Sequence, residues 1–188
     1  FAATLLVGFG AGAGAFLLLM LLDPSVTRPK DLSFRSFPII AALGGLNAAR
    51  NHKDETAAAA AFDRLRMALS PKLEGSRIVV VISANPGEGK TITAAGLAKS
   101  YAASGQHVAL VETTSKGPFL YQQLGLNSTA PPSQFPEKGI EGIVQELSPR
   151  VSLLSTAGEE FAWDSPAGAT LIEELEKHFD MIVFDTDA

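Results

Sequence analysis

Hydrophobic and polar positions divide the chain into an apolar first part and a longer alternating part. Residues 1–22 contain no charged or amide side chain, and Asp23 is the first charged residue. A helix needs about 20 apolar residues to cross roughly 30 Å of hydrocarbon. The run therefore predicts one transmembrane helix over residues 1–22. A buried core helix and a signal peptide are the alternatives, although the run ends in Leu-Leu-Asp-Pro instead of a small-residue cleavage site.

The next residues predict a connector followed by a helix. Arg28 and Lys30 come soon after the apolar run, and positive residues close to a span favour the cytoplasmic side. Residues 23–53 are interrupted by prolines and a Gly-Gly pair, which indicates a juxtamembrane connector. From Asp54 to Leu69 the pattern turns helical, with Asp54 as the predicted N-cap.

Beyond residue 76, short β-branched runs alternate with helical patterns. The predicted strands are Arg77–Ser83, His107–Glu112, Val151–Ser155 and Met181–Phe184. The predicted helices are Thr91–Ser104, Leu120–Leu124, Ile140–Leu147 and Ala167–Phe179, with a Pro-rich loop over Thr129–Lys138. Strands that alternate with helices form βαβ units and a parallel sheet. The sequence therefore predicts an α/β domain over residues 54–188, with helices flanking a parallel sheet.

Composition excludes several classes of function. The net charge is -5, and no cluster of Lys and Arg forms the basic stripe that a nucleic-acid surface needs. The absence of cysteine excludes disulfides, Fe–S clusters and cysteine nucleophiles, and it fits a reducing compartment. The chain starts at Phe1 inside an apolar run and stops at Ala188, just after a predicted core strand. We expect it to be an internal fragment, truncated at its C-terminus.

The stretch with the strongest chemical signal runs from Ala84 to Thr91 and reads Ala-Asn-Pro-Gly-Glu-Gly-Lys-Thr. It departs from the phosphate-loop consensus G-x-x-x-x-G-K-[ST] only at Ala84, and it lies between a predicted strand and a predicted helix. The glycines let backbone N–H groups face an anion, and the helix N-terminus adds its positive dipole end. Lys90 is expected to reach the β- and γ-phosphates, and Thr91 to present its hydroxyl to magnesium.

These expectations define a candidate nucleotide and metal site. The predicted nucleotide-binding residues are Asn85, Pro86, Gly87, Glu88, Gly89, Lys90 and Thr91. Pro86 has no N–H to donate and shapes the loop. Asp185 ends the last apolar strand, where phosphate-loop enzymes hold magnesium, often through water, so Thr91 and Asp185 are the predicted metal ligands. The alternative is a Gly-rich turn with a solvated lysine, but a lysine at a helix N-terminus opposes the dipole unless an anion is present.

These residues bring a known family into view. The chain resembles the bacterial tyrosine kinases attached to polysaccharide copolymerases, which control exopolysaccharide export and chain length. The specific part of the likeness is VISANPGEGKTITAAGLAKSYAASGQHVALVE, supported by DPSVTRPKDLSFRSFPIIAALGGL, AFDRLRMAL, GPFLYQQLGL and FDMIVFDTDA. The resemblance implies a P-loop fold, ATP with magnesium, and autophosphorylation of a tyrosine-rich tail between subunits of a ring. It also implies a bacterial inner-membrane protein with its P-loop domain in the cytoplasm. Membrane lipid, further copies and other polysaccharide export proteins are the partners implied.

The chain departs from this family at two motifs. Glu112 and Thr114 occupy the positions of an Asp-x-Asp whose first carboxylate is thought to activate the tyrosine hydroxyl. A Glu-x-x-Arg-x-x-Arg motif that contributes to ring assembly corresponds here to Ala60, Asp63 and Arg66, so only the last residue is kept. Both changes indicate weak or lost kinase activity.

The remaining sequence observations concern the tyrosine acceptor, the related ATPases and the choice of nucleotide. The tyrosine tail is absent, and the two tyrosines present, Tyr101 and Tyr121, lie in predicted helices. Related partition and division-site ATPases carry an extra lysine near the start of the loop, where this chain has Asn85. The loop residues alone do not distinguish ATP from GTP, and the family likeness is the reason for predicting ATP.

Three functions remain open. The first is a nucleotide-binding regulatory module of a polysaccharide copolymerase with weak or lost kinase activity, which the changed motifs favour. The second is an active tyrosine autokinase, in which Lys90, Glu112 and Asp185 are the candidate catalytic residues and Glu112 replaces the usual aspartate. The third is a purely structural copolymerase that binds no nucleotide, although the intact Lys90-Thr91 pair argues against it.

Overall fold

The computed structural model describes most of the chain after residue 51. The described residues are 52–114, 120–127, 130–156 and 158–186, together with 12, 14–16, 18, 40, 41 and 43. The chain divides into two compact units, Phe1–Ala42 and Leu43–Ala188. In the first unit, residues 12, 14–16 and 18 are helical. The predicted span over residues 1–22 and the connector over residues 23–53 lie largely outside the described residues. No helix within the described ranges has both the length and the apolar character that a membrane crossing needs.

The second unit is built on a five-stranded sheet. Its strands are β1 Ile78–Val81, β2 Val108–Glu112, β3 Val144–Ser148, β4 Val151–Ser155 and β5 Met181–Asp185. Their spatial order is β1-β5-β2-β4-β3. Strands β1, β5, β2 and β4 run parallel, and β3 runs antiparallel to β4. The predicted parallel α/β sheet is thus confirmed, with one antiparallel edge strand added.

Within the described residues of this unit, five helices accompany the sheet. They are α1 His52–Leu69, α2 Lys90–Ala103, α3 Leu120–Gln123, α4 Phe135–Ile143 and α5 Pro166–His178. Short 3-10 turns span Ser70–Lys72 and Pro132–Gln134. Helix α1 begins at His52, so Asp54 lies inside the helix and its prediction as the N-cap is wrong.

The central strands β2 and β5 are buried on both faces of the sheet. Leu110 and Val183 pack in one cluster with Leu97 of α2, whereas Val111 and Ile182 pack in a second cluster on the side of α5. Strands covered on both sides need apolar residues at successive positions instead of an alternating pattern. This explains why β2 and β5 are continuous apolar runs in the sequence.

Two of the predictions made for the chain between β2 and β4 are wrong. Thr129–Lys138 is predicted as a loop, but α4 already begins at Phe135. Ile140–Leu147 is predicted as one helix, but the helix ends at Ile143 and the next five residues form β3. The apolar spacing fits either element. Pairing with β4, through a tight turn in which Arg150 has a φ of 69°, overrides the helical pattern.

Tyr101 places its hydroxyl in the core. The residue is 2% exposed, and within the described ranges its hydroxyl oxygen has no hydrogen-bond partner. Burial raises the pKa of the phenol, and the nearby Arg66 opposes that rise. Tyr121 is also buried, at 9% exposure. Neither tyrosine is therefore accessible to phosphorylation in this fold.

We expect Tyr101→Phe to leave the free energy of unfolding unchanged or to raise it by up to about 1 kcal/mol, because the substitution removes a buried oxygen without a partner. Urea denaturation measures the change. Tyr121→Phe is the matched control, since its hydroxyl accepts a hydrogen bond from Gln122 Nε2 at 3.5 Å. A loss of more than 1 kcal/mol from Tyr101→Phe but not from Tyr121→Phe contradicts this description of the core.

Candidate nucleotide-binding site

The phosphate loop joins the end of β1 to the start of α2. Gly87 and Gly89 have φ values of 78° and 89°, which glycine adopts without strain. A Cβ atom added at either glycine would meet no atom within 4 Å, so the space above the loop is open. Ala84 is not among the residues with positive φ. The loop therefore does not require the consensus glycine at that position.

Lys90 is the first residue of α2, and Gly89 is its N-cap. The Nζ of Lys90 donates a hydrogen bond to Ser83 Oγ at 2.8 Å, and this hydroxyl donates to the carbonyl oxygen of Asn85 at 2.8 Å. The lysine ammonium is thus held against the first residues of the loop. Sequence reasoning missed Ser83, whose only signal was its place at the end of the predicted strand.

Glu88 turns back onto the start of the loop. Its carboxylate accepts hydrogen bonds from the N–H groups of Ala84 and Asn85 and from the side-chain amide of Asn85. The Asn85 side chain, followed by the Asn85 backbone, lowers the pKa of Glu88 below its ordinary value. The stabilisation that these bonds give is therefore present above the pKa of an unfolded glutamate, and it is lost as pH falls through the lower folded-state pKa.

Asp185 and Glu112 are neighbours on adjacent strands, at the carboxyl end of the sheet where the phosphate loop follows β1. Asp185 is opposite both Val81 and Glu112 in the register of the parallel strands. The side chain of Val183 faces α2, and the alternation of a strand places Asp185 on the same face. Both carboxylates are buried, at 5% and 2% exposure. The predicted metal ligand and the candidate base thus share the face of the sheet where α2 begins.

Glu112 is bound to its neighbours through both carboxylate oxygens. Oε1 accepts a hydrogen bond from the N–H of Leu120 at 2.5 Å, and Oε2 accepts one from Ser155 Oγ at 2.5 Å. Leu120 begins α3, and Ser155 ends β4. The carboxylate therefore joins a helix N-terminus to the sheet in a buried position, which is the environment of a structural group.

Threonine hydroxyls join the strand ends at this edge, and no sequence motif indicates their role. Thr186 Oγ1 donates to the carbonyl oxygen of Val81 at 2.8 Å, so the chain after β5 is bonded to the chain just before the loop. Thr113 donates through both its N–H and its hydroxyl to the carbonyl oxygen of Asp185, at 2.9 and 3.1 Å. These bonds hold the ends of β1, β5 and β2 together beneath the candidate site.

Two residues at the positions of the ring-assembly motif make hydrogen bonds within the chain. Arg66 Nε donates to Ser100 Oγ at 3.1 Å, and that hydroxyl donates to Asp63 Oδ1 at 2.5 Å. Ser100 is buried at 5% exposure in α2. Two of the three motif positions therefore hold α1 against α2, while Ala60 is exposed.

Two cavities among the described residues lie away from the loop. One of about 590 Å³ lies between α1 and α2 and is lined by four alanines, by Phe62 and Ile92, and by polar side chains that include Asp63 and Lys99. The other, of about 490 Å³, is lined by Phe135, Phe161 and small residues near α4 and α5. Lys90, Thr91 and Asp185 line neither of these two cavities.

Comparison with known proteins adds family information to this geometry. No family model matches the chain. The chain is 31% identical over 142 residues to the succinoglycan biosynthesis transport protein ExoP of Rhizobium meliloti (strain 1021). The alignment covers 68% of this chain and 18% of ExoP. The chain thus corresponds to a small part of that relative.

Solved structures share the fold. The kinase domain of Escherichia coli tyrosine kinase ETK is 18% identical, with a TM-score of 0.70 over 86% of this chain and 74% of that chain. The chimerical protein CapA2B2 is 19% identical, with a TM-score of 0.68 over 85% of this chain and 75% of that chain. The chain is related to the bacterial tyrosine kinase and polysaccharide copolymerase family. The predicted family resemblance is therefore confirmed, and the P-loop-like α/β fold with it.

Proposed function

We propose that residues 54–188 bind Mg·ATP and act as a regulatory module of a bacterial polysaccharide copolymerase, with weak or lost tyrosine kinase activity. The observation that carries this proposal is the phosphate loop. Gly87 and Gly89 leave an open cradle, α2 begins at its edge, and Lys90 lies beside it with its ammonium on Ser83. A helix N-terminus with exposed backbone N–H groups and a lysine attracts phosphate.

We assign two protein groups, Thr91 and Asp185, to a magnesium ion at the same site. Thr91 lies in the first turn of α2, and Asp185 ends β5 on the face that α2 covers. Within the described residues, no three His, Asp or Glu side chains form a metal cluster. A magnesium ion here would therefore take further ligands from phosphate oxygens and water, as is usual for this small ion. We propose ATP instead of GTP only because of the family relation.

The position of Glu112 supports the proposal of weak or lost kinase activity. A general base must lie within hydrogen-bond reach of the proton that it removes. Glu112 is 2% exposed, and its two oxygens already accept bonds from Leu120 and Ser155. This arrangement argues against the autokinase in which Glu112 activates a tyrosine hydroxyl.

The family relation supports a proposal for the place of this module in the cell. We propose that residues 1–22 anchor the protein in the bacterial inner membrane, in contact with lipid, and that the module lies in the cytoplasm. Its role there is to regulate exopolysaccharide biosynthesis and export together with further copies of the chain and other export proteins.

Calorimetric titration of the full-length protein with Mg·ATP tests nucleotide binding. We expect a dissociation constant in the micromolar range, and much weaker binding when EDTA removes magnesium. A parallel titration with Mg·GTP decides between the two nucleotides. The absence of heat from either nucleotide, with circular dichroism showing a folded protein, would contradict the proposal and support the purely structural copolymerase.

A further inference from the structure

We propose that Glu88 is a positioning residue of the phosphate loop, whose carboxylate holds Ala84 and Asn85 in the shape that receives a nucleotide. The inference rests on the proposed nucleotide binding and deepens it. Oε2 of Glu88 accepts hydrogen bonds from the N–H groups of Ala84 at 3.1 Å and Asn85 at 3.2 Å. Oε1 accepts one from Asn85 Nδ2 at 3.0 Å. We call these three bonds the Glu88 brace.

The Glu88 brace has a counterpart that joins the same two parts of the loop. Lys90 Nζ bonds to Ser83 Oγ, and that hydroxyl bonds to the carbonyl oxygen of Asn85. Asn85 therefore donates to Glu88 while its carbonyl accepts from Ser83. Pro86 follows with its φ fixed by the ring, which further restricts the loop. The beginning of the loop is thus joined to Glu88 and to Lys90 by two sets of bonds.

A loop ordered in this way binds a ligand more tightly. Binding to a chain whose competent shape is only partly populated is weakened in proportion to that fraction. Groups that fix the shape in advance reduce the ordering cost of binding. Glu88 itself is exposed and negatively charged beside a site for an anion. Its direct electrostatic effect on a nucleotide is repulsive, so its favourable effect must act through Ala84 and Asn85.

These two effects have opposite signs, and substitutions separate them. Glu88→Gln removes the charge and also replaces one accepting oxygen by a donor that faces an N–H donor. Glu88→Asp keeps the charge but shortens the side chain by one methylene, so that the carboxylate no longer reaches the start of the loop. The brace predicts weaker nucleotide binding for both variants. Charge alone predicts tighter binding for Glu88→Gln and no change for Glu88→Asp.

We expect each variant of the full-length protein to bind Mg·ATP about tenfold more weakly, equivalent to about 1.4 kcal/mol, in calorimetric titrations. Glu141→Gln, which changes an exposed glutamate of α4, is the matched control and leaves the affinity unchanged. If both Glu88 variants bind as tightly as the wild type or more tightly, the positioning role is wrong and the proposed nucleotide binding stands.

Hydrogen exchange without nucleotide tests the brace independently of the proposed function. We expect peptides that cover residues 83–89 to exchange faster in Glu88→Gln and Glu88→Asp than in the wild type, while peptides of β2 and β4 do not change. Equal exchange in all proteins would overturn the brace. A wild type that shows this protection but binds no Mg·ATP would refute the proposed function and retain the brace as a structural feature.

Discussion

Lys90→Ala is expected to abolish detectable binding of Mg·ATP, with a dissociation constant raised at least about 100-fold, equivalent to about 2.7 kcal/mol. The substitution removes the positive charge at the edge of the cradle, where it would meet the phosphates most distant from the nucleoside. It also breaks the bond to Ser83 that holds the beginning of the loop. Charge-assisted hydrogen bonds to phosphate are among the strongest polar interactions available to a protein.

Calorimetric titration of wild type and variant measures this effect. Lys99→Ala is the matched control because it removes an exposed lysine from the same helix, α2, and it should leave the affinity unchanged. Thermal unfolding of both variants should stay close to the wild type, since neither lysine is buried. Undiminished binding by Lys90→Ala would place the nucleotide outside this loop.

Glu112→Ala is expected to lower the free energy of unfolding by about 2–6 kcal/mol, because the Leu120 N–H and the Ser155 hydroxyl each lose a buried acceptor at about 1–3 kcal/mol. Glu112→Gln should cost much less. Its amide oxygen accepts from Leu120 N–H, and its NH₂ group donates to the Ser155 hydroxyl, which turns to accept. The ends of β4 and α3 then stay joined to β2.

Urea denaturation of the two variants measures the difference. Glu146→Ala, which removes an exposed glutamate from β3, is the control and should change stability by less than about 0.5 kcal/mol. A stable Glu112→Ala protein that loses phosphotyrosine formation would reverse the interpretation and make Glu112 a base. Loss of stability without any change in phosphotyrosine would confirm its structural role.

The regular parts of the fold could be predicted because local and tertiary signals agree. The β-branched runs of β2 and β5 are too short for helices and are buried on both faces, and Leu171 and Leu175 of α5 lie at helical spacing and are fully buried. Val144 to Ser148 could not be predicted, because the same apolar spacing suits a helix or a strand. Pairing with β4 makes this segment a strand. The apolar periodicity of a single segment contains no information about its partner strand.

The candidate site also has a part that could be predicted from the sequence and a part that could not. The loop, the start of α2 and the end of β5 follow a sequence motif, because glycine φ values and a helix N-terminus depend on local sequence. The contacts of Glu112 depend on Leu120 and Ser155, and the contact of Thr186 depends on Val81, 105 positions earlier. Such bonds exist only once distant segments have met, so a single sequence does not reveal them.

The place of β1 in the sheet has a consequence for folding during synthesis. Among the described strands, β1 pairs with β5 alone, and β5 follows the other four in the chain. Contacts between positions so far apart in sequence form late because a long chain segment must first close. The phosphate loop is therefore expected to gain its shape only after β5 has been synthesised and has paired with β1. Nucleotide would then bind a nascent chain only once β5 has been made.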